Sequence, residues 1–166
     1  MKNTKTQDSK KKNRTLKSHS LPTPEKIASL SKQHREVYEA ITELLPYLQV
    51  YVDYYVGNGL YLDIFIPRIN VALEINGKQH YEFNPLFHKD ILAFEEGKMR
   101  DIKKLIYCKE NNIALYVVKY DEKFDVMHFV DFAIKFLATP DGSEASIIDD
   151  EPISESEEQP EEESPS

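Results

Sequence analysis

Apolar residues recur at helical spacing between Lys32 and Leu45, where Val37, Ile41, Leu44 and Leu45 predict one buried helix face that Pro46 brings to an end. Glu36, Glu39 and Glu43 fall on or beside the polar side of that helix. A short helical turn is expected just before it, over 25–30. The pattern then shifts to period two. Gln49–Val56 is β-branched and aromatic, Gly57-Asn58-Gly59 is a turn, and Leu60–Ile66 completes a hairpin. A second turn, Pro67-Arg68-Ile69-Asn70, leads into Val71–Asn76, so the three strands form a meander. Residues 82–96 predict a loop or broken helix. Gly97–Glu110 predicts a helix buried along Met99, Ile102, Leu105 and Ile106, with Asn111-Asn112 as its stop. Arg100, Asp101 and Lys104 would then lie within one turn of each other, off that stripe. Ile113–Lys119 reads as a buried strand and Asp125–Ala138 as an amphipathic terminal helix. A meander followed by a helical crossover to another strand predicts an α/β fold, a mixed β-sheet flanked by helices.

Each of the two inner strands carries one carboxylate where burial is predicted. If Ile66 faces Val71 across the turn, then Phe65 faces Ala72, Ile64 faces Leu73, and Asp63 faces Glu74. Like charges opposite each other on paired strands are destabilising, and a buried charge is costly unless it is paired or bound to metal. A divalent cation held by Asp63 and Glu74 resolves both problems, and their hard oxygen donors suit Mg²⁺. His80 follows Glu74 by six residues in the polar run Gly77-Lys78-Gln79-His80, and can return to the same sheet edge. Metal-held carboxylates and a nearby histidine are what phosphodiester hydrolysis needs: charge neutralisation, an activated water and a base. For Asp63 or Glu74 taken alone, a structural role competes with this reading.

Charge is segregated along the chain. The formal net charge is −8 over 166 residues, but residues 1–20 hold seven basic side chains and one acid, while 139–166 hold eleven acids and no base. Residues 1–24 are expected to be a disordered basic arm and linker, 25–138 the α/β domain, and 139–166 a disordered acidic tail. The arm is either a solubilising or a phosphate-binding segment, and the tail either solvating filler, a rival to DNA for basic surface, or a partner-binding segment. Cys108 is the one cysteine, which rules out an internal disulfide or a multi-cysteine zinc site; it sits near the buried stripe as inert packing. No apolar run approaches the ~18 residues of a membrane span and the basic start lacks a signal-peptide core, so the expectation is a soluble protein of the host-cell cytoplasm, associated with the nucleoid.

The run YLDIFIP…VALEINGKQHY, followed by MRDIKKLIYCKENNIALYVVKYDE, resembles the very-short-patch-repair-type branch of the PD-(D/E)XK nucleases, and within it the phage-type EDxHD endonucleases that include homing enzymes. The resemblance covers about residues 34–121. It implies a restriction-endonuclease-like core, cleavage of DNA with Mg²⁺ or Mn²⁺ and no small-molecule cofactor, and an origin in a phage or mobile element. The enzyme would be a monomer or homodimer. By motif, Asp63 would bind metal with Glu74, His80 would act as or orient the general base, and Asp101 would be the late aspartate. Either Glu36 or Glu39 would be the early helix glutamate. The family's E-x-K reads here Glu74-Ile75-Asn76, with Lys78 two positions later. Lys78, Gln79, Arg100 and Lys104 are candidate DNA contacts, as is His88; Phe83 and Phe87 could wedge against bases or simply pack their loop. Two alternatives remain: a catalytically silent relative that binds nucleic acid or a partner, and a recombination or replication nuclease acting on branched DNA.

Overall fold

The computed structural model describes residues 19–139. Its elements are α1 (Pro24–Ala28), α2 (Lys32–Leu44), β1 (Tyr51–Gly57), β2 (Leu60–Ile66), β3 (Val71–Asn76), a single 3-10 turn at Lys78–His80, α3 (Ile91–Glu110), β4 (Ala114–Lys119) and α4 (Val126–Ala138). The four strands form one mixed sheet in the order β1-β2-β3-β4, antiparallel except for the parallel pair β3–β4 that α3 connects. The expected meander with a crossover strand is therefore present. Thr23, Ser31, Asp90 and Asp125 cap the four helices with their side chains, and Pro24 fits the first turn of α1 because its missing N–H is not needed there. Residues 1–18 and 140–166, which hold most of the expected arm and tail, lie outside the described residues. The described residues begin within the end of the expected arm, where the His19 ring stacks on Tyr54 at 3.7 Å.

Alternation in β3 divides the core in two. Val71 and Leu73 join Val37 and Ile41 of α2, Ile64 and Ile66 of β2, and Phe129, Phe132 and Phe136 of α4. Ala72, on the opposite face, joins Leu62, Phe65, Cys108, Ile113 and Leu115, with Leu105 and Tyr107 of α3 packed against them.

The hairpin turns over between these two clusters. Val52 and Ile64 pack in the first, whereas Tyr54 and Leu62, two residues along each strand, pack in the second. Residues two apart share a face in a regular strand, so the ribbon is reversed across Asp53 and Asp63. Asp53 sits at φ +47°, in the left-handed region, and its carboxylate is ion-paired with Lys26. Partners flank this point (Val52 with Ile64, Tyr54 with Leu62) without including it. The β2–β3 ladder likewise runs from Ile66–Val71 to Ile64–Leu73 and stops short of Asp63.

The structure corrects the reading of α3 twice. The helix starts at Ile91, where Asp90 accepts from Ala93 N at 2.8 Å, so Gly97 lies inside the helix instead of at its start. Its inward face carries Phe94, Asp101, Lys104, Leu105 and Cys108, while Met99, Ile102 and Ile106 are about half exposed. Of the predicted apolar stripe only Leu105 faces inward. The reason is electrostatic: the sheet presents a buried carboxylate to this helix, and turning Lys104 inward pairs it.

Candidate active site

Where β2 and β3 part, two backbone N–H groups lose their ladder partners, and the two carboxylates take them up. Ile75 N donates to Asp63 Oδ2 at 2.8 Å, and Asp63 N donates to Glu74 Oε1 at 3.4 Å. The Asp63 carbonyl accepts from His34 Nε2 of α2 at 3.1 Å; a carbonyl can only accept, so that nitrogen carries the proton. These contacts alone would explain two buried carboxylates as local repair of a broken ladder.

The charge balance goes further. Glu74 is the one buried charged residue among the described residues, 5% exposed. Its other oxygen forms an ion pair with Lys104 Nζ. Burial and the neighbouring Asp63 push the Glu74 carboxyl up to about 8, against the pull of Lys104. Burial works against the charge on Lys104, but Glu74 and then Asp63 outweigh it and hold its pKa above the ordinary lysine value. Two acids thus face one ammonium, and the proton that Glu74 keeps up to about 8 is one that a further cation bound beside it would displace into solvent.

His80 Nδ1 lies 3.0 Å from Asp101 Oδ2, both side chains about one-third exposed. A carboxylate accepts, so Nδ1 carries the proton and Nε2 is left as the basic nitrogen. The two pairs adjoin. Asp101 lines one cavity of about 190 Å³ with Glu74, Asn76, Tyr81 and Lys104, and a second of about 240 Å³ with His80, His88 and Arg100.

The structure thus places two pairs, Asp63 with Glu74 and His80 with Asp101, on either side of the cavity that Glu74 and Asp101 share. Glu36 and Glu39 join neither pair: both are exposed, and Glu36 pairs with Lys32 at 3.8 Å. His34, from the same helix, reaches Asp63 in their stead. Lys78, two residues past the position where the family's lysine would stand, is exposed and bonded to Glu82 at 3.2 Å, an interaction that raises its pKa. The lysine at Glu74 is Lys104, whose expected place on an exposed phosphate-contact face is thereby corrected. Gln79 and Arg100 line the second cavity. His88 accepts from Asn84 N at 3.1 Å through Nδ1 and packs edge-on to Phe94, so it braces the 82–88 loop and walls that cavity. Cys108 is buried, and burial, then the charge of Glu74, pushes its thiol up to about 12, which leaves it inert. Sequence reasoning missed His34 and the inward turn of Lys104. The first has no apolar neighbour pattern to mark it, and the second was masked by the stronger stripe at Met99, Ile102 and Ile106.

Among the described residues no helix is long and apolar enough to cross a membrane. No family model and no solved structure matches the chain. The chain is 43% identical over 67 residues to "Uncharacterized protein 033L" of Invertebrate iridescent virus 3, covering 40% of this chain and 34% of that one. It is 41% identical over 68 residues to "Uncharacterized protein 307L" of Invertebrate iridescent virus 6, covering 40% and 34%. A third relative, "Uncharacterized protein 094L" of Frog virus 3, is 35% identical over 71 residues, covering 40% of this chain and 44% of the relative. The chain thus spans a third to under half the length of these relatives, all of them viral.

Proposed function

We propose that the chain is a metal-dependent DNA endonuclease that hydrolyses phosphodiester bonds. The observation that carries this is the buried Glu74 carboxyl, held beside Asp63 and sharing a cavity with the aspartate that orients His80. A structural ladder repair accounts for the two carboxylates but not for the adjoining His80–Asp101 pair, which makes no contribution to the ladder.

Asp63 and Glu74 fit a hard cation. Mg²⁺ is commonly held by one or two carboxylates, with water and substrate phosphate completing its shell. Asp63 and Glu74 supply two such carboxylates, and among the described residues no third acidic, histidine or cysteine side chain joins them to hold an ion. Such an ion would neutralise phosphate charge and lower the pKa of a bound water. The protein's own groups do the rest. Asp101 fixes the His80 tautomer and stabilises the ring once it is protonated, as the aspartate does in a hydrolytic triad. His80 Nε2 takes the proton of the attacking water. Lys104 keeps Glu74 in place and adds positive potential beside the phosphate, and Arg100 offers a guanidinium at the neighbouring cavity for a flanking phosphate.

A second reading has one observation in its favour: the Lys104 ammonium already neutralises part of the Glu74 charge. On that reading the chain is a silent relative that binds nucleic acid and needs no metal. Incubating the purified protein with supercoiled, linear, single-stranded and branched DNA separates the two. The nuclease reading expects cutting of at least one substrate that starts with Mg²⁺ or Mn²⁺ and stops with chelator. Binding without cutting under either metal favours the silent relative.

A further inference from the structure

Glycine is one of the least favourable residues for a helix interior, yet Gly97 stands seven residues into the 20-residue α3. Nothing among the described residues requires it. The backbone there is helical, and an added Cβ would come within 4 Å of Arg100 Nη2 alone, at 3.8 Å, an ordinary contact. What the missing side chain does is open the floor of the cavity of about 240 Å³ beside His80 and Asp101.

The lining of that cavity is mixed in a telling way. Phe87 and His88 supply ring surfaces, the buried Phe94 ring lies beneath Lys98 Nζ at 4.5 Å, and Arg100 and Lys98 supply cations. Phe87 is 67% exposed although it is a large aromatic, so part of a ring face is available to a ligand. The third side is the His80–Asp101 pair, so anything bound there lies within one side chain of the hydrolytic groups. The volume is below the ~300–1,000 Å³ of pockets for drug-sized ligands, which suits one planar ring system and not a stack of several.

We propose that this cavity receives the base of a single unpaired nucleotide of the substrate strand, and that the enzyme acts on DNA with an unpaired nucleotide at the cleavage point in preference to continuous duplex. The inference rests on the nuclease reading and narrows its substrate. Every base offers π faces that stack on aromatic side chains without regard to sequence, and Arg100 can meet the adjoining phosphate. An unpaired base enters most readily because the least stacking and pairing must be given up.

The test compares three fluorescent duplexes in Ca²⁺, with strand integrity checked on a gel: fully paired, with a one-nucleotide bulge, and with the same bulge lacking its base. Base stacking on aromatic side chains predicts that wild type binds the bulge about tenfold or more tightly than its abasic counterpart. Gly97→Leu fills the cavity floor with a better helix former, and a melting temperature at the wild-type level checks that its fold is kept. Phe87→Ala removes a stacking wall by a separate route. Both variants should bring that ratio close to one, while affinity for the abasic and fully paired duplexes stays at the wild-type level. A ratio near one in wild type, or a ratio kept in Gly97→Leu, overturns the cavity assignment and leaves the hydrolytic site standing. Failure of wild type to bind any of the three duplexes overturns the nucleic-acid reading itself, and this inference with it.

Discussion

The sheet buries both faces against helices, but by different means. On one side, α2 and α4 meet it through Ile41, Phe129, Phe132 and their neighbours, an apolar core without a buried charge. On the other, α3 meets it through a smaller apolar cluster bordered by Glu74 and Lys104. The difference shows in how each helix is oriented. Helix α2 turns its Val37 and Ile41 inward as hydrophobicity dictates, whereas α3 leaves Met99, Ile102 and Ile106 half exposed and turns a lysine in. Helix α3 thus carries the Lys104 partner of a buried carboxyl inward and leaves three aliphatic side chains half exposed. One face is apolar throughout, and the other carries the buried carboxyl on which the proposed chemistry rests.

The largest effect that would break this contrast is catalytic. His80→Ala removes the proposed base and should lower the cleavage rate by ~10²–10⁴-fold in a single-turnover assay, with DNA affinity retained. A loss of that size from Lys78→Ala, with His80→Ala mild, would move the base role to the exposed lysine. On the apolar face, Phe129→Ala should cost about 3–5 kcal/mol in urea unfolding. A cost below ~1 kcal/mol would mean that the α4 side is not the stabilising half.

The pH dependence should separate the faces by a smaller amount. Glu74 keeps its proton in the folded chain up to about 8, where the unfolded chain releases it near 4.5. Folding therefore binds a proton in that window, and the associated stability is greatest at its acid end and falls as pH rises toward 8. The expected loss is on the order of 2–4 kcal/mol across the window, and Glu74→Gln should flatten it. Urea midpoints at pH 5.5, 6.5 and 7.5 for both proteins read this directly; parallel curves would show that another group carries the dependence. The smallest effect belongs to the exposed stripe, where Ile102→Gln should change stability by less than ~0.5 kcal/mol. A cost of 2 kcal/mol or more would restore the apolar orientation of α3.

Much of this architecture is legible in the sequence. The turn at Pro67–Asn70 fixes a register in which Ile66, Phe65 and Ile64 meet Val71, Ala72 and Leu73, as the alternation predicts. Carried one pair further, that register would set Asp63 opposite Glu74; the ladder ends at Ile64 and Leu73, and the two carboxylates meet through the Ile75 and Asp63 N–H groups instead. The turnover of the hairpin at Asp53 and Asp63 was not legible, because period-two patterning assumes an unbroken pleat and the left-handed φ of Asp53 leaves no mark on it. The orientation of α3 was hidden for a different reason. Periodicity weighs each apolar position alike, and one buried carboxylate on the facing strand outweighs several of them. The start of α3 is hidden because Gly97 resembles a boundary, although it lies within the helix and lines the cavity beside it.

The central claim is that Asp63 and Glu74 act as a pair on a phosphodiester, and Asp63→Asn tests it most directly. The substitution keeps an oxygen able to accept from Ile75 N while removing the charge. The measurement is the single-turnover cleavage rate of wild type and Asp63→Asn in Mg²⁺, on a substrate that both bind. The account predicts that cutting falls below detection while DNA affinity and melting temperature are kept. Cleavage by Asp63→Asn at the wild-type rate would contradict it.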